Sequence, residues 1–389
     1  MKRLLALILC LCLVFSGCKR GDGQYTPTGD GLNYDEDYTG EHIAPPQQEQ
    51  AKQLSLPYYA DRSLNPFLCT DFTNRALFSL LYQSLFVSDR SYVTEPQLCK
   101  SYSATEDAKS YTFYLENATF SDGTVLTVED VTASLEAARQ SVFYSGRFLH
   151  ITEIIAGSDS ITLNLDTPME NLPLLLDIPI VKASEVDANR PLGTGPYVLI
   201  SAAGGESLRK RADWWCNPQM AISADTITLF AAESATHIRD QFEFFDLSLV
   251  CADPGSDRYA DYRCDYELWD CENGIFLYLA TSADSEVFSQ DLVRIALTYA
   301  IDRDLLVEEY YRGFARSATL PASPLFPYYS QSLAQRYRYD GAKFAEAVQS
   351  AGMVGSKVVF LVNSDDSLRL RVARHIAEML EAGGLEVEM

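Results

Sequence analysis

The chain is poor in the residue patterns that chemistry on a substrate requires. Its four histidines (His42, His150, His237 and His375) are scattered, and its nine cysteines contain no CxxC pair, which argues against a structural zinc site. There is no GxSxG elbow, no HExxH and no GxxxxGK[ST] phosphate loop. Gly193-Thr194-Gly195 has the look of half a nucleotide loop, but Pro196 follows with no helix start, so a tight turn is the better reading. Cations are scarce as well. Lys and Arg number 31 against 54 Asp and Glu, a net charge of -23, which excludes a protein that tracks nucleic-acid phosphates. The apolar run Leu4 to Phe15 falls short of the roughly 20 residues needed to cross a bilayer. No catalytic constellation, cofactor or metal is therefore expected, and the chain does not read as an enzyme.

What is present is an export signal followed by a globular body. Lys2 and Arg3 precede the apolar run, and the small pair Ser16-Gly17 precedes Cys18, the order of a secretory signal peptide over 1–17. Residues 19–52 are rich in Gly, Asp, Glu, Thr, Pro and Gln and cannot bury enough apolar surface to order themselves. They read as a flexible stalk. The whole chain is 47% hydrophobic and 22% charged over 389 residues, enough for a real core and about two or three domains. Cys10 and Cys12 leave with the signal. Cys69, Cys99, Cys216, Cys251, Cys264 and Cys271 remain in an exported body where disulfides are permitted, with Cys264 and Cys271 the nearest pair.

Strands are expected at Leu54–Tyr59, Ser110–Leu115, Ser160–Leu165, Tyr197–Ile200, Ile227–Phe230, Ile275–Leu279 and Val358–Val362, from alternation or short apolar runs. A helix is expected over 74–86, where Leu77, Phe78, Leu81 and Leu85 fall on one face. Asp122-Gly123 turns the chain, and Thr127 opens a helix with Asp130 as its capping-box partner. Leu292–Ile301 reads as a mostly buried helix, and Asp302 and Asp340 each cap a helix ending near a glycine, Gly313 and Gly352. Ser367–Leu380 carries an inner stripe of Leu368, Val372, Ile376 and Met379, and Asp365-Asp366 before it are capping residues. Alternating helices and strands argue for an α/β protein.

Cys18 after Ser-Gly resembles the lipobox of bacterial lipoproteins, with Phe15 standing where Leu is usual. That implies a lipid on Cys18 and a membrane tether through acyl chains. Four patches in fixed order carry a second likeness: FSDGTVLTVEDV at 120–131, GTGPY at 193–197, VRIALTYAIDR at 293–303 and YDGAKFAEAVQSAG at 339–352. With Asn65-Pro66 and Asp213-Trp214-Trp215, they make residues 53–389 resemble the family 5 solute-binding proteins, receptors of ABC importers for peptides, nickel chelates and some sugars.

The resemblance implies a two-lobed periplasmic-binding-protein type II fold. Lobe I would span 53–280, with an inserted subdomain about 67–180, and lobe II would span 281–389. It implies capture of a peptide or similar small solute, ABC permease subunits as partners, a monomer, and a lipid-anchored place on the extracytoplasmic face of the cell membrane. The alternative from another class is a tethered sensor that kept the fold but not transport. The resemblance offers Thr70, Phe72, Tyr144, Phe148 and Tyr278 as ligand contacts, although core packing is an equal expectation for the aromatics. Ala280-Thr281 stand where the family often has Asn after the crossover strand. The sequence also stops at Met389, after a strand that lies midway through the family's second lobe: either it is a fragment or an early stop, or the lobe is completed differently, and the 389 residues alone are expected to leave lobe II incomplete, bind ligand weakly and unfold at low denaturant.

Overall fold

A computed structural model describes residues 54–89, 92–216, 224–252, 262–269, 275–326, 328–364 and 366–389. Cys18, the signal and the stalk lie outside them, as does Cys271 of the pair Cys264–Cys271. The chain divides into two compact units, one from residues up to 87 together with 96–250, the other from 88–95 together with 251–389. The division falls at 250/251, where the sequence suggested 280/281.

The first unit contains two four-stranded sheets. In one, Leu54–Tyr58 pairs in parallel with Thr226–Ala231, and Gly205–Lys210 and Tyr197–Ala202 follow antiparallel. In the other, Cys99–Ala104, Ser110–Leu115, Ser160–Leu165 and Ile151–Ala156 lie antiparallel in that order. The expected alternation decides which face is buried: Tyr111 pairs with Leu163 and Phe113 with Ile161, and all four side chains are buried. Helix Val128–Gln140 covers this sheet with Val131, Leu135 and Ala138. It opens as expected on a full capping box between Thr127 and Asp130.

The single helix expected over 74–86 does not form. The structure has short helices Phe72–Arg75 and Phe78–Leu81, then strands Gln83–Ser84 and Phe86–Ser88. Leu77, Phe78, Leu81 and Leu85 are still buried, so the apolar spacing was real. The backbone found better partners elsewhere. The Gly195 N–H donates to the Leu81 carbonyl at 2.9 Å, Tyr82 is extended, and Gln83–Ser84 pairs with Pro179–Ile180. Gly193 and Gly195 make this approach possible, since a Cβ would stand 2.1 Å from the Leu81 oxygen at the first and 2.4 Å from the Leu81 carbonyl carbon at the second.

Arg211, only 4% exposed, explains why the FSDG, GTGPY and tryptophan patches occur together. Its guanidinium donates to the carbonyls of Phe120 at 2.9 Å, Thr119 at 3.0 Å and Gly195 at 3.3 Å, and to the Thr119 hydroxyl at 3.0 Å. The Trp214 indole N–H donates to the Thr194 carbonyl at 2.9 Å, and the Ser121 N–H to the Gly193 carbonyl at 3.0 Å. In the turn itself, burial raises the Asp122 carboxyl pKa, but hydrogen bonds from Lys182 and Thr124 outweigh it and hold the group at about 2.

The second unit packs helices Asp291–Ala300, Arg303–Tyr311, Gly341–Ser350 and Ser367–Ala382 around Val293, Phe344 and Val348. Strands Lys357–Val359 and Glu386–Glu388 pair in parallel. Asp302, Asp340 and Asp366 are N-caps, each accepting from the backbone N–H three residues on. Three expectations need correction. Residues 275–279 form no strand: Ile275, Phe276, Leu277 and Tyr278 are exposed, so the apolar run does not find the buried face that an apolar strand needs. Helix Asp291–Ala300 buries one stripe only, leaving Leu292 52% and Ile295 62% exposed. The strand expected to reach Val362 ends at Val359.

Replacing Arg211 by Met leaves three carbonyls without their buried donor and is expected to cost about 3 kcal/mol or more, read as a lowered urea midpoint. Asp122, titrating below an ordinary aspartate's 3.8, stabilises the fold above about pH 4, and that contribution fades as pH falls toward 2. Asp122→Asn should flatten this acid limb of the urea midpoint; an unchanged limb would show that the turn contributes nothing to it.

Candidate ligand-binding surface

Asparagine is an unusual residue to bury, and two of them shape the loop where the sequence placed Thr70 and Phe72. Asn65 and Asn74 are fully buried and fully engaged. The Asn65 amide donates to the carbonyls of Val186 at 2.7 Å and Ala188 at 2.8 Å and accepts from the Phe67 N–H at 2.9 Å. Asn74 accepts from the Tyr59 N–H at 2.7 Å and returns a bond to the Tyr59 carbonyl at 3.0 Å. Asp71 caps the helix beginning at Phe72 and is ion-paired with Arg62, whose guanidinium lies 3.8 Å from the centre of the Tyr59 ring. The loop is therefore held from below, and its outer side chains are free to meet a solute.

That outer edge is apolar. Phe72 is 55% exposed, Leu68 52% and Phe143 44%, and Thr70 lies exposed between Cys69 and Asp71. Beneath it Arg75 stacks 3.9 Å from the centre of the Phe143 ring and donates to the Tyr144 hydroxyl at 3.3 Å. Arg147 lies 5.0 Å from the Tyr144 ring centre and is ion-paired with Asp177. Burial lowers the pKa of its guanidinium. Phe67 meets Tyr144 edge-on at 6.3 Å.

The five sequence candidates thus separate. Thr70 and Phe72 are on the open edge. Tyr144 and Phe148 are each 5% exposed and belong to the core of the first unit, Tyr144 in contact with Phe67 and Arg75 and Phe148 with Arg139. Tyr278, in the second unit, is 75% exposed and stacked on Phe276 at 6.1 Å. Arg75 and Phe143 were not among the candidates, because no local pattern reports that the two side chains stack. A recess of about 220 Å³ is lined by Leu64, Tyr82, Ser121, Arg190 and Gly193 among others. Its guanidinium is spent on Glu206 and the Ala60 carbonyl, so it offers a solute no charge.

Cys69 and Cys99 are buried free thiols; burial raises the pKa of both, that of Cys99 to about 11, which makes them inert at neutral pH. Among the described residues no cluster of His, Cys, Asp or Glu could hold a metal, and no helix is long and apolar enough to cross a membrane.

Residues 93–389 match the family described as bacterial extracellular solute-binding proteins, family 5 Middle. The glutathione-binding protein GsiB of Escherichia coli is 24% identical over 349 residues, which cover 84% of this chain and 67% of that protein. Among solved structures, the binding protein AgaA of A. tumefaciens in complex with agropinic acid superposes with a TM-score of 0.61 at 21% identity, covering 86% of this chain and 72% of that one. DppA of Helicobacter pylori, an ABC-transporter-associated periplasmic binding protein bound to a peptide, gives a TM-score of 0.59 at 20% identity over 86% and 73%. These likenesses show the fold to be that of the type II periplasmic binding proteins.

Phe72→Ala should change the urea stability by less than about 1 kcal/mol, whereas Phe148→Ala should cost about 3 kcal/mol or more, because only the second opens a cavity. Equal losses would place Phe72 in the core and remove it from the open edge.

Proposed function

The chain belongs to the family 5 bacterial extracellular solute-binding proteins, and from that premise we propose that it captures peptides or similar small solutes for an ABC importer. Capture requires no chemistry. A solute shifts the protein toward its bound conformation only by the difference in its affinity for the two states. The observation that carries the reading is the family match over most of the chain, joined to an exposed aromatic and aliphatic edge on a loop braced by Asn65 and Asn74. Such an edge tolerates varied side chains, which suits a peptide. Thr70 and Phe72 are proposed contacts on the first unit, where Tyr144 and Phe148 are core residues, and Tyr278 is a proposed contact on the second.

The first unit is assigned as lobe I, its antiparallel sheet with helix Val128–Gln140 as the inserted subdomain, and the second unit as lobe II. The signal over 1–17, lipidation of Cys18 and the stalk to residue 52 complete the proposal: a monomeric trap tethered to the extracytoplasmic face of the membrane, working with permease subunits.

Cells deleted for this chain should lose accumulation of a labelled tripeptide and regain it with the wild-type gene. Cys18→Ser should move the protein from the membrane fraction to the soluble one and reduce that accumulation. Undiminished uptake in the deleted strain would overturn transport and favour a tethered sensor.

A further inference from the structure

Helix Ala235–Glu243 ends on a turn that glycine ordinarily makes. Phe245 has φ +62°, the left-handed conformation in which a Cβ crowds the following carbonyl, a cost that glycine avoids. The turn is fixed on both sides: the Asp246 N–H donates to the Gln241 carbonyl at 2.9 Å, and the Ser248 N–H to the Ser55 carbonyl at 2.9 Å. Between them Leu247 is 3% exposed, in one buried cluster with Tyr59 and Ile238. Those inward residues form the local core. Phe244 and Phe245 take no part in it and stand 73% and 51% exposed.

Charge is set against the helix as well. Residues 239–246 hold Asp240, Glu243 and Asp246 against one cation, Arg239, and that guanidinium donates to Asp240 at 2.9 Å. Carboxylates are disfavoured at a helix C-terminus, where the backbone already carries partial negative charge, and no basic residue occupies the last turn. A strained phenylalanine, two rings in water and acids at the negative pole thus coincide in one turn. None of the three stabilises the isolated fold, and a partner that takes up all of them accounts for their being together.

We propose that the Phe244–Phe245 turn docks onto the membrane subunits of the importer, whose matching surface is an apolar socket rimmed by Lys or Arg. The inference rests on the importer reading and adds to it the surface through which the protein delivers its solute. Rings seated in such a socket give the affinity, and the surrounding carboxylates steer and register the approach. A bare lipid surface fits less well. The acids repel anionic headgroups, and the rings that favour the membrane interface are those of Trp and Tyr.

The test places Phe245→Gly, and separately the pair Glu243→Lys with Asp246→Lys, in the full chain in cells deleted for the wild-type gene. Phe245→Gly relieves the strained backbone, so its urea midpoint should rise or hold, and its calorimetric affinity for trialanine should match that of the wild type. Accumulation of a labelled tripeptide should nevertheless fall about tenfold or more, and the charge-reversed pair should fall likewise. Wild-type accumulation by both variants overturns the inference while the importer reading stands. A lowered urea midpoint together with lost trialanine affinity makes the turn merely structural and also overturns it. Sedimentation of the Cys18→Ser chain with protein-free phosphatidylglycerol vesicles, lost on adding Phe245→Gly, assigns the turn to lipid instead. No rescue of uptake by the wild-type gene defeats the importer reading itself, and the docking with it.

Discussion

One buried guanidinium organises the first unit. Arg211 donates to the turn at Thr119–Phe120 and the reversal at Gly195, and the chain that carries it continues into Trp214, whose indole reaches Thr194. Three segments distant in sequence thereby become one small knot. The same knot brings Gly193 and Gly195 onto the Leu81 carbonyl, which ends the helix before it and sends Gln83–Ser84 into a strand pairing. The loop edge depends on that ending, because the Asn65 loop and the short helix of Arg75 lie just upstream of it. Charge burial of this kind is costly, and it is offset here by bonds to backbone carbonyls that would otherwise go without and by the Asp213 carboxylate 3.6 Å from Nε, which itself makes no hydrogen bond.

How far residues alone could forecast this follows from which forces are local. Capping at Thr127, Asp302, Asp340 and Asp366 is settled within three residues and came out as expected. So did the alternation in Ser110–Leu115 and Ser160–Leu165, where each strand's pattern suffices to pick its buried face. The region 74–86 differed because its apolar spacing satisfies burial whether or not the helix is continuous, and the decision was made by Gly195, more than a hundred residues away. Ile275–Leu279 has strand composition, yet its side chains are mostly exposed and composition alone supplies no face to bury them.

The candidate surface divides along the same line. Thr70 and Phe72 were found through resemblance and are exposed, whereas Tyr144 and Phe148, chosen in the same way, turned inward, since an aromatic is as well suited to a core as to a pocket. Arg75 could not have been picked out from sequence. It joins Tyr144, 69 positions further along, through the tyrosine hydroxyl and stacks on Phe143, contacts that no local pattern reports.

The parallel pairing of Leu54–Tyr58 with Thr226–Ala231 has a kinetic consequence. The first strand of the unit has its lateral partner near the far end of the same unit, with the remaining strands of both sheets and most of the core between them in sequence. Contacts of such long separation slow folding, because the loop must close before the ladder repays it. A chain emerging N-terminus first therefore carries an apolar strand that stays unpaired until residue 231 has followed.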